Sequence, residues 1–71
     1  MRLSINGELT QLNGLPDGSK PHLDQVLADL GYAGRKVAVA VNEIFVPRTG
    51  WGDHVVEEGD RLDVVAPIQG G

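Results

Sequence analysis

Only one stretch of this 71-residue chain repeats its apolar residues with the period of an α-helix. Its apolar positions follow the spacing i, i+3, i+4 and i+7, and they are Leu23, Val26, Leu27 and Leu30. This spacing predicts an amphipathic helix that begins at Ser19 or Lys20 and stops at Gly31. With a single helix available, the remaining core residues are expected to lie on strands.

Short segments with a two-residue period surround this helix. Asn6-Gly7 is typical of a tight hairpin turn, and Pro47 favours the end of a strand because it has no N–H to donate. The predicted strands cover residues 2–5, 8–12, 36–41, 44–46 and 61–66. One mixed sheet of about five strands with one helix across a single face follows, which is an α+β domain over residues 1–66. Residues 67–71 are expected to form a flexible tail.

Alternation along the last strand predicts which side chains face the helix. Leu62 and Val64 point one way, and the alternate residues of the strand point the other way. The valines and alanines of residues 36–41 divide in the same manner. The outward residues form a candidate docking surface with an apolar centre, and they are Arg61, Asp63, Val65, Ala38 and Ala40. An ordinary solvated face is the open alternative.

Composition excludes several classes of function. The net charge of -4 argues against nucleic-acid binding, and neither a signal peptide nor a membrane-spanning apolar run is visible, so we expect a cytoplasmic protein. His22 and His54 have no cysteine companions, which argues against zinc. The only serines are Ser4 and Ser19, and we find no Ser/His/Asp arrangement or phosphate-binding loop.

The printed sequence ends in Gly70-Gly71 and contains no cysteine. The carboxylate of Gly71 is therefore the best candidate for a reactive group. Two glycines carry no side chains and adopt many backbone conformations, so such an end fits a narrow channel in another protein. The alternative is a frayed end without a role.

Several short motifs together resemble the ThiS family, the sulfur carriers of thiamine biosynthesis related to MoaD. They are Val41-Asn42-Glu43, Val46-Pro47-Arg48 with Trp51, Glu58-Gly59-Asp60-Arg61 and Gly70-Gly71. The resemblance covers nearly the whole chain, and it implies the ubiquitin-like β-grasp fold, which the Asn6-Gly7 hairpin and the single helix also suit. The loop at residues 13–20 is longer than usual, and the tail has a proline that also occurs in the small subunit of molybdopterin synthase. That subunit is the alternative, although the segment at residues 46–51 favours the thiamine carrier.

The resemblance implies a carrier that is a co-substrate and not an enzyme. A ThiF-type, E1-like adenylyltransferase would adenylate the Gly71 carboxylate with ATP, and a sulfur donor enzyme would supply the sulfur of a thiocarboxylate. A ThiG-type thiazole synthase would then receive that sulfur. The carrier itself would hold no stable cofactor.

The resemblance also implies roles for the tail. Gly70 would allow close approach, and Pro67 would stiffen the exit from the last strand. The implied partner-binding residues are Pro67, Ile68, Gln69 and Gly70, together with Arg61, Asp63 and Val65. A conjugation module, in which Gly71 forms an amide with a lysine, is a second alternative, and a binding domain with inert glycines is a third.

Overall fold

A computed structural model describes residues 1–16 and 18–66. Its strands are β1 (Arg2–Ile5), β2 (Glu8–Gln11), β3 (Ala38–Val41), β4 (Ile44–Val46) and β5 (Arg61–Val65). They form one five-stranded sheet in the order β2-β1-β5-β3-β4, in which β1 and β5 are parallel and the other pairs are antiparallel. The predicted mixed sheet is confirmed. The predicted tail at residues 67–71 lies outside the described residues.

The sheet packs its inner face against a single α-helix, α1 (Leu23–Asp29). The predicted start at Ser19 or Lys20 is wrong, because the preceding segment is extended and pairs with residues 54–56. In this pairing the backbone N–H of Leu23 donates to the carbonyl oxygen of His54 at 2.8 Å. The helix therefore begins only where the chain leaves that pairing.

Gly31 ends the helix as predicted. Its φ of 92° is left-handed, a conformation that glycine adopts without strain. The N–H of Gly31 donates to the carbonyl of Ala28, and the N–H of Tyr32 reaches back to the carbonyl of Leu27. This pair of hydrogen bonds is the Schellman motif, which satisfies the last helix carbonyls.

Membrane-spanning helices are absent from the described residues, where each helix is too short or too polar to cross a bilayer.

The core lies between α1 and the inner face of the sheet. Leu62 and Val64 of β5 are buried beside Val39 and Val41 of β3, which confirms the predicted alternation. The other buried apolar residues are Met1, Leu3, Leu12, Leu23, Val26, Leu27, Val46, Trp51 and Val56. One contiguous cluster thus joins the helix to the sheet.

A tight hairpin fixes how β1 and β2 align. The Asn6-Gly7 turn is confirmed, with φ values of 52° and 83°, and it places Ile5 opposite Glu8. The Asn6 side chain also continues the ladder beyond β1, because its Oδ1 accepts the N–H of Val64 at 2.7 Å. The first hairpin is therefore tied to the central strand.

A 3₁₀ helix at Arg48–Asp53 follows β4 and was not predicted. It places Trp51 in the core with only 8% of its surface exposed. The indole Nε1–H donates to the carbonyl oxygen of Val46 at 3.0 Å. This bond supplies a partner for the one polar atom of a buried tryptophan.

Candidate docking face

The outer face of the sheet brings together the predicted residues of the last strand. Arg61, Asp63 and Val65 all lie on it, so their predicted common orientation is confirmed. Ala40 is opposite Asp63 and Ala38 is opposite Val65, so the two alanines share this face, as predicted. Their part in binding a partner stays a prediction. The other predicted site residues lie outside the described part of the chain, and they are Pro67, Ile68, Gln69, Gly70 and Gly71.

Phe45 is the largest apolar side chain of this face, and its place there was not predicted. It lies opposite Ala40 with 64% of its surface exposed, while Val65 on β5 is 61% exposed. The two-residue Asn42-Glu43 turn could have located it, since that loop length sets the register of β3 and β4. Phe45, Val65, Ala38 and Ala40 together form the apolar centre of the outer face.

Another exposed apolar side chain lies towards the opposite edge of the same face. Leu9 on β2 is 71% exposed and pairs with Ser4 on β1, which in turn pairs with Arg61 on β5. A polar row therefore separates Leu9 from the apolar centre. The outer face thus has one apolar area and one isolated apolar side chain.

Charged groups border the apolar centre where β5 begins. Arg61 Nε lies 3.2 Å from Asp63 Oδ2, and its Nη1 lies 3.6 Å from Glu43 Oε1. The side chain of Arg61 is 53% exposed, so these ion pairs contribute little to stability. Their consequence is to hold a guanidinium at the rim of the apolar centre, which is the usual arrangement of a protein interface.

The turn beside this charge cluster is held by Asn42. Its Oδ1 accepts the N–H of Arg61 at 3.0 Å, and its backbone N–H donates to the carbonyl of Arg61 at 2.7 Å. Its Nδ2 donates to Asp60 Oδ1 at 3.1 Å. Asn42 adopts a left-handed φ of 50°, which asparagine tolerates better than most residues. Two motifs that are distant in the sequence therefore meet in space.

The fold is that of a small ubiquitin-like β-grasp domain. The thiamine biosynthesis protein ThiS of Geobacter metallireducens has the same architecture, with a TM-score of 0.80 and 24% identity over 100% of both chains. A family model described as the ThiS family matches residues 3–71. The chain belongs to the ThiS family.

Relatives of two kinds support this assignment. The sulfur carrier protein ThiS of Escherichia coli is 34% identical over 47 residues, which cover 66% of this chain and 71% of that protein. A thiazole synthase of Paramagnetospirillum magneticum is 37% identical over 71 residues, and one of Magnetococcus marinus is 40% identical over 62 residues. These cover 100% and 84% of this chain, which spans only 20% and 19% of the two thiazole synthases.

Proposed function

We propose that this protein is a sulfur carrier of thiamine biosynthesis and that the Gly71 carboxylate accepts the sulfur. The ThiS family match carries the proposal, because it runs through residue 71 and so includes Gly70-Gly71. The same match favours the thiamine pathway over molybdopterin synthesis. The relative from Escherichia coli bears the name of a sulfur carrier.

The proposed chemistry has two steps because a carboxylate is a poor electrophile. The Gly71 carboxylate attacks the α-phosphate of ATP, which gives an acyl adenylate and releases pyrophosphate. A sulfur nucleophile equivalent to HS⁻ then attacks the acyl carbon and expels AMP, which leaves a thiocarboxylate. Stabilisation of the negative charge in this transfer falls to the partner enzyme. The carrier is therefore a co-substrate, and ATP is consumed by its partner.

The proposed partners are an E1-like adenylyltransferase, a sulfur donor enzyme and a thiazole synthase. The thiazole synthase of Paramagnetospirillum magneticum supports the last of these, because a segment similar to this whole chain forms part of it. A thiazole synthase in contact with the carrier would use the thiocarboxylate as its sulfur source. We place these reactions in the cytoplasm.

The apolar centre is the proposed docking surface for the E1-like enzyme. Val65 is the last residue of β5, and the chain continues from there towards residues 67–71. A partner seated on Val65 and Phe45 would thus bind beside the start of the tail. Arg61 and Asp63 would orient that partner from the rim. Gly70 would let the end of the chain enter the active site.

A single residue added after Gly71 tests the proposed acceptor. The addition converts the Gly71 carboxylate into an amide and moves the new carboxylate by up to about 3.6 Å, beyond the tolerance of a positioned reaction. We expect no replacement of oxygen by sulfur in the intact mass after incubation with the E1-like enzyme, ATP and a sulfur donor. A stable amide-linked conjugate would instead support the conjugation alternative.

The matched control is a protein with a cleavable C-terminal extension whose removal leaves Gly71 as the last residue. Cleavage should restore sulfur incorporation, and sulfur on the uncleaved protein would refute the proposal. An extension at Met1 is a poorer control. Met1 is only 1% exposed, and its ammonium donates to the carbonyls of Leu12 at 3.2 Å and Leu15 at 2.8 Å. A peptide bond there would leave one N–H for these acceptors.

A further inference from the structure

A cavity of about 320 Å³ lies on the helix side of the protein, away from the outer sheet face. It forms where α1, the loop after it and the 3₁₀ helix meet. Its lining residues are Asp24, Leu27, Tyr32, Ala33, Gly34, Arg48, Trp51 and Gly52. Leu27 and Trp51 are buried, whereas Arg48 and Gly52 are exposed, so the cavity has an apolar floor and a polar rim open to solvent.

Arg48 lies over one aromatic wall of this cavity. Its guanidinium carbon is 5.6 Å from the centre of the Trp51 ring. The ring itself is held by its burial and by the hydrogen bond to Val46, so it forms a fixed support for the guanidinium. Stacking on an aromatic ring uses the face of a guanidinium and leaves its N–H groups directed outward at the edge.

No carboxylate pairs with Arg48 among the residues that the structure describes. Asp24 also lines the cavity, but its Oδ1 accepts the N–H of Gln25 at 2.9 Å and it makes no ion pair with Arg48. Arg35 lies over the ring of Tyr32, another lining residue, at 6.0 Å, and Lys36 follows it in the chain. Arg48 is the basic residue that lines this cavity, and Arg35 lies against its Tyr32 wall.

We propose that this cavity receives an aspartate or glutamate side chain from a protein partner. The carboxylate would accept two parallel N–H bonds from Arg48, the geometry in which arginine binds carboxylates most strongly. The partner's apolar atoms would lie on Leu27 and Trp51. The choice of an acidic side chain rests on the difference between the two charged lining residues: Asp24 already accepts a hydrogen bond from Gln25, whereas Arg48 has no carboxylate partner in the described part of the chain. The cavity volume of about 320 Å³ leaves room for an inserted side chain.

This site is separate from the chemistry of Gly71 and from the outer sheet face. An acidic contact on the helix side and an apolar contact on the outer face would let one partner surround the domain or two partners bind at once. The proposal therefore stands or fails independently of the sulfur-carrier function.

Trp51 provides a direct measurement, because the protein has one tryptophan and its indole N–H gives one NMR signal. The capped peptide Ac-Leu-Glu-Leu-NH₂ is titrated into ¹⁵N-labelled protein, with Ac-Leu-Gln-Leu-NH₂ and inorganic phosphate as parallel probes. We expect a saturable shift of the Trp51 indole signal with the glutamate peptide alone. We also expect Arg48→Gln to weaken that binding by about tenfold or more, which corresponds to the loss of a charged hydrogen bond.

Arg2→Gln is the matched control, since Arg2 is exposed on β1 and does not line the cavity. It should bind the glutamate peptide as the unchanged protein does. Arg48→Lys is a second variant that keeps the charge but not the paired N–H geometry, and it should also bind more weakly. The proposal is overturned if the glutamine peptide gives the same shift, if only phosphate binds, or if folded Arg48→Gln binds the glutamate peptide unchanged.

Discussion

The two faces of the central sheet are built from alternate residues of the same strands, yet they have different consequences for the protein. On β5, Leu62 is fully buried against the helix side, whereas Val65 on the outer face is 61% exposed. Both are aliphatic, so hydrophobicity alone does not separate them. Because α1 covers the inner face, that face contributes to stability. In the described structure no such cover lies on the outer face, which is therefore available for contact.

Removing side-chain atoms from the buried face gives the largest expected effect. Leu62→Ala should lower the free energy of unfolding by about 2–5 kcal/mol, because it loses buried methyl groups and leaves a cavity. Val65→Ala is the matched change on the outer face and should stay within about 0.5 kcal/mol. Denaturant unfolding of both variants measures the contrast. Equal losses would show that Val65 belongs to the core.

The turn at Asn42 helps to fix the register between β3 and β5. A shift of one residue between these strands would exchange the inward and outward side chains. Asn42→Ala should cost about 1–2 kcal/mol of unfolding free energy through its lost hydrogen bonds and a strained left-handed φ. Asn42→Gly removes the same side-chain bonds without that strain and should cost less in thermal or denaturant unfolding. An equal cost in both variants would leave the backbone strain without a contribution.

Binding gives the converse test, because substitutions on the outer face should change the affinity for a partner while leaving stability nearly unchanged. Val65→Asp and Phe45→Ala should each weaken binding to the E1-like enzyme by about tenfold, as expected for side chains at the centre of an interface. Calorimetric titration measures the affinity, and melting checks the fold. Leu9→Ala is the control at the isolated apolar side chain. Unchanged affinity in the first two variants would remove the apolar centre from the docking surface.

The smallest expected effect lies at Glu43, which adopts a left-handed φ of 70°. Glu43→Gly should raise the free energy of unfolding by about 0.5–1 kcal/mol by relieving that conformation. Its exposed ion pair with Arg61 contributes little in return. Glu43→Gln keeps the backbone strain and removes the charge, so its stability should be nearly unchanged. If Glu43→Gln alone raised the free energy of unfolding, the cause would be the removed charge and not the backbone strain.

Local patterns were sufficient for much of the fold. The helical spacing around Val26, the Asn6-Gly7 turn and the stop at Gly31 all act within a few residues, so the sequence predicted them. The alternation of Leu62 and Val64 with their outward neighbours likewise follows from strand geometry. The family resemblance of the motifs was also confirmed.

Features that depend on distant partners could not be predicted in this way. The start of α1 is set by the pairing of residues 21–23 with residues 54–56, and no local signal reveals that pairing. The site was predicted only in part, since the common face of Arg61, Asp63 and Val65 follows from alternation, while Phe45 joins them only through the register of β3 and β4.

The sequence by itself determined the single helix, its end, the first hairpin and which side of β5 faces inward, because each depends on neighbouring residues. Only the tertiary structure decided where α1 begins, that Phe45 extends the apolar centre, and that Arg48 and Trp51 share a cavity with Asp24. These features arise where elements distant in the chain come into contact. Such contacts depend on the packing of the whole domain, which local spacing does not encode.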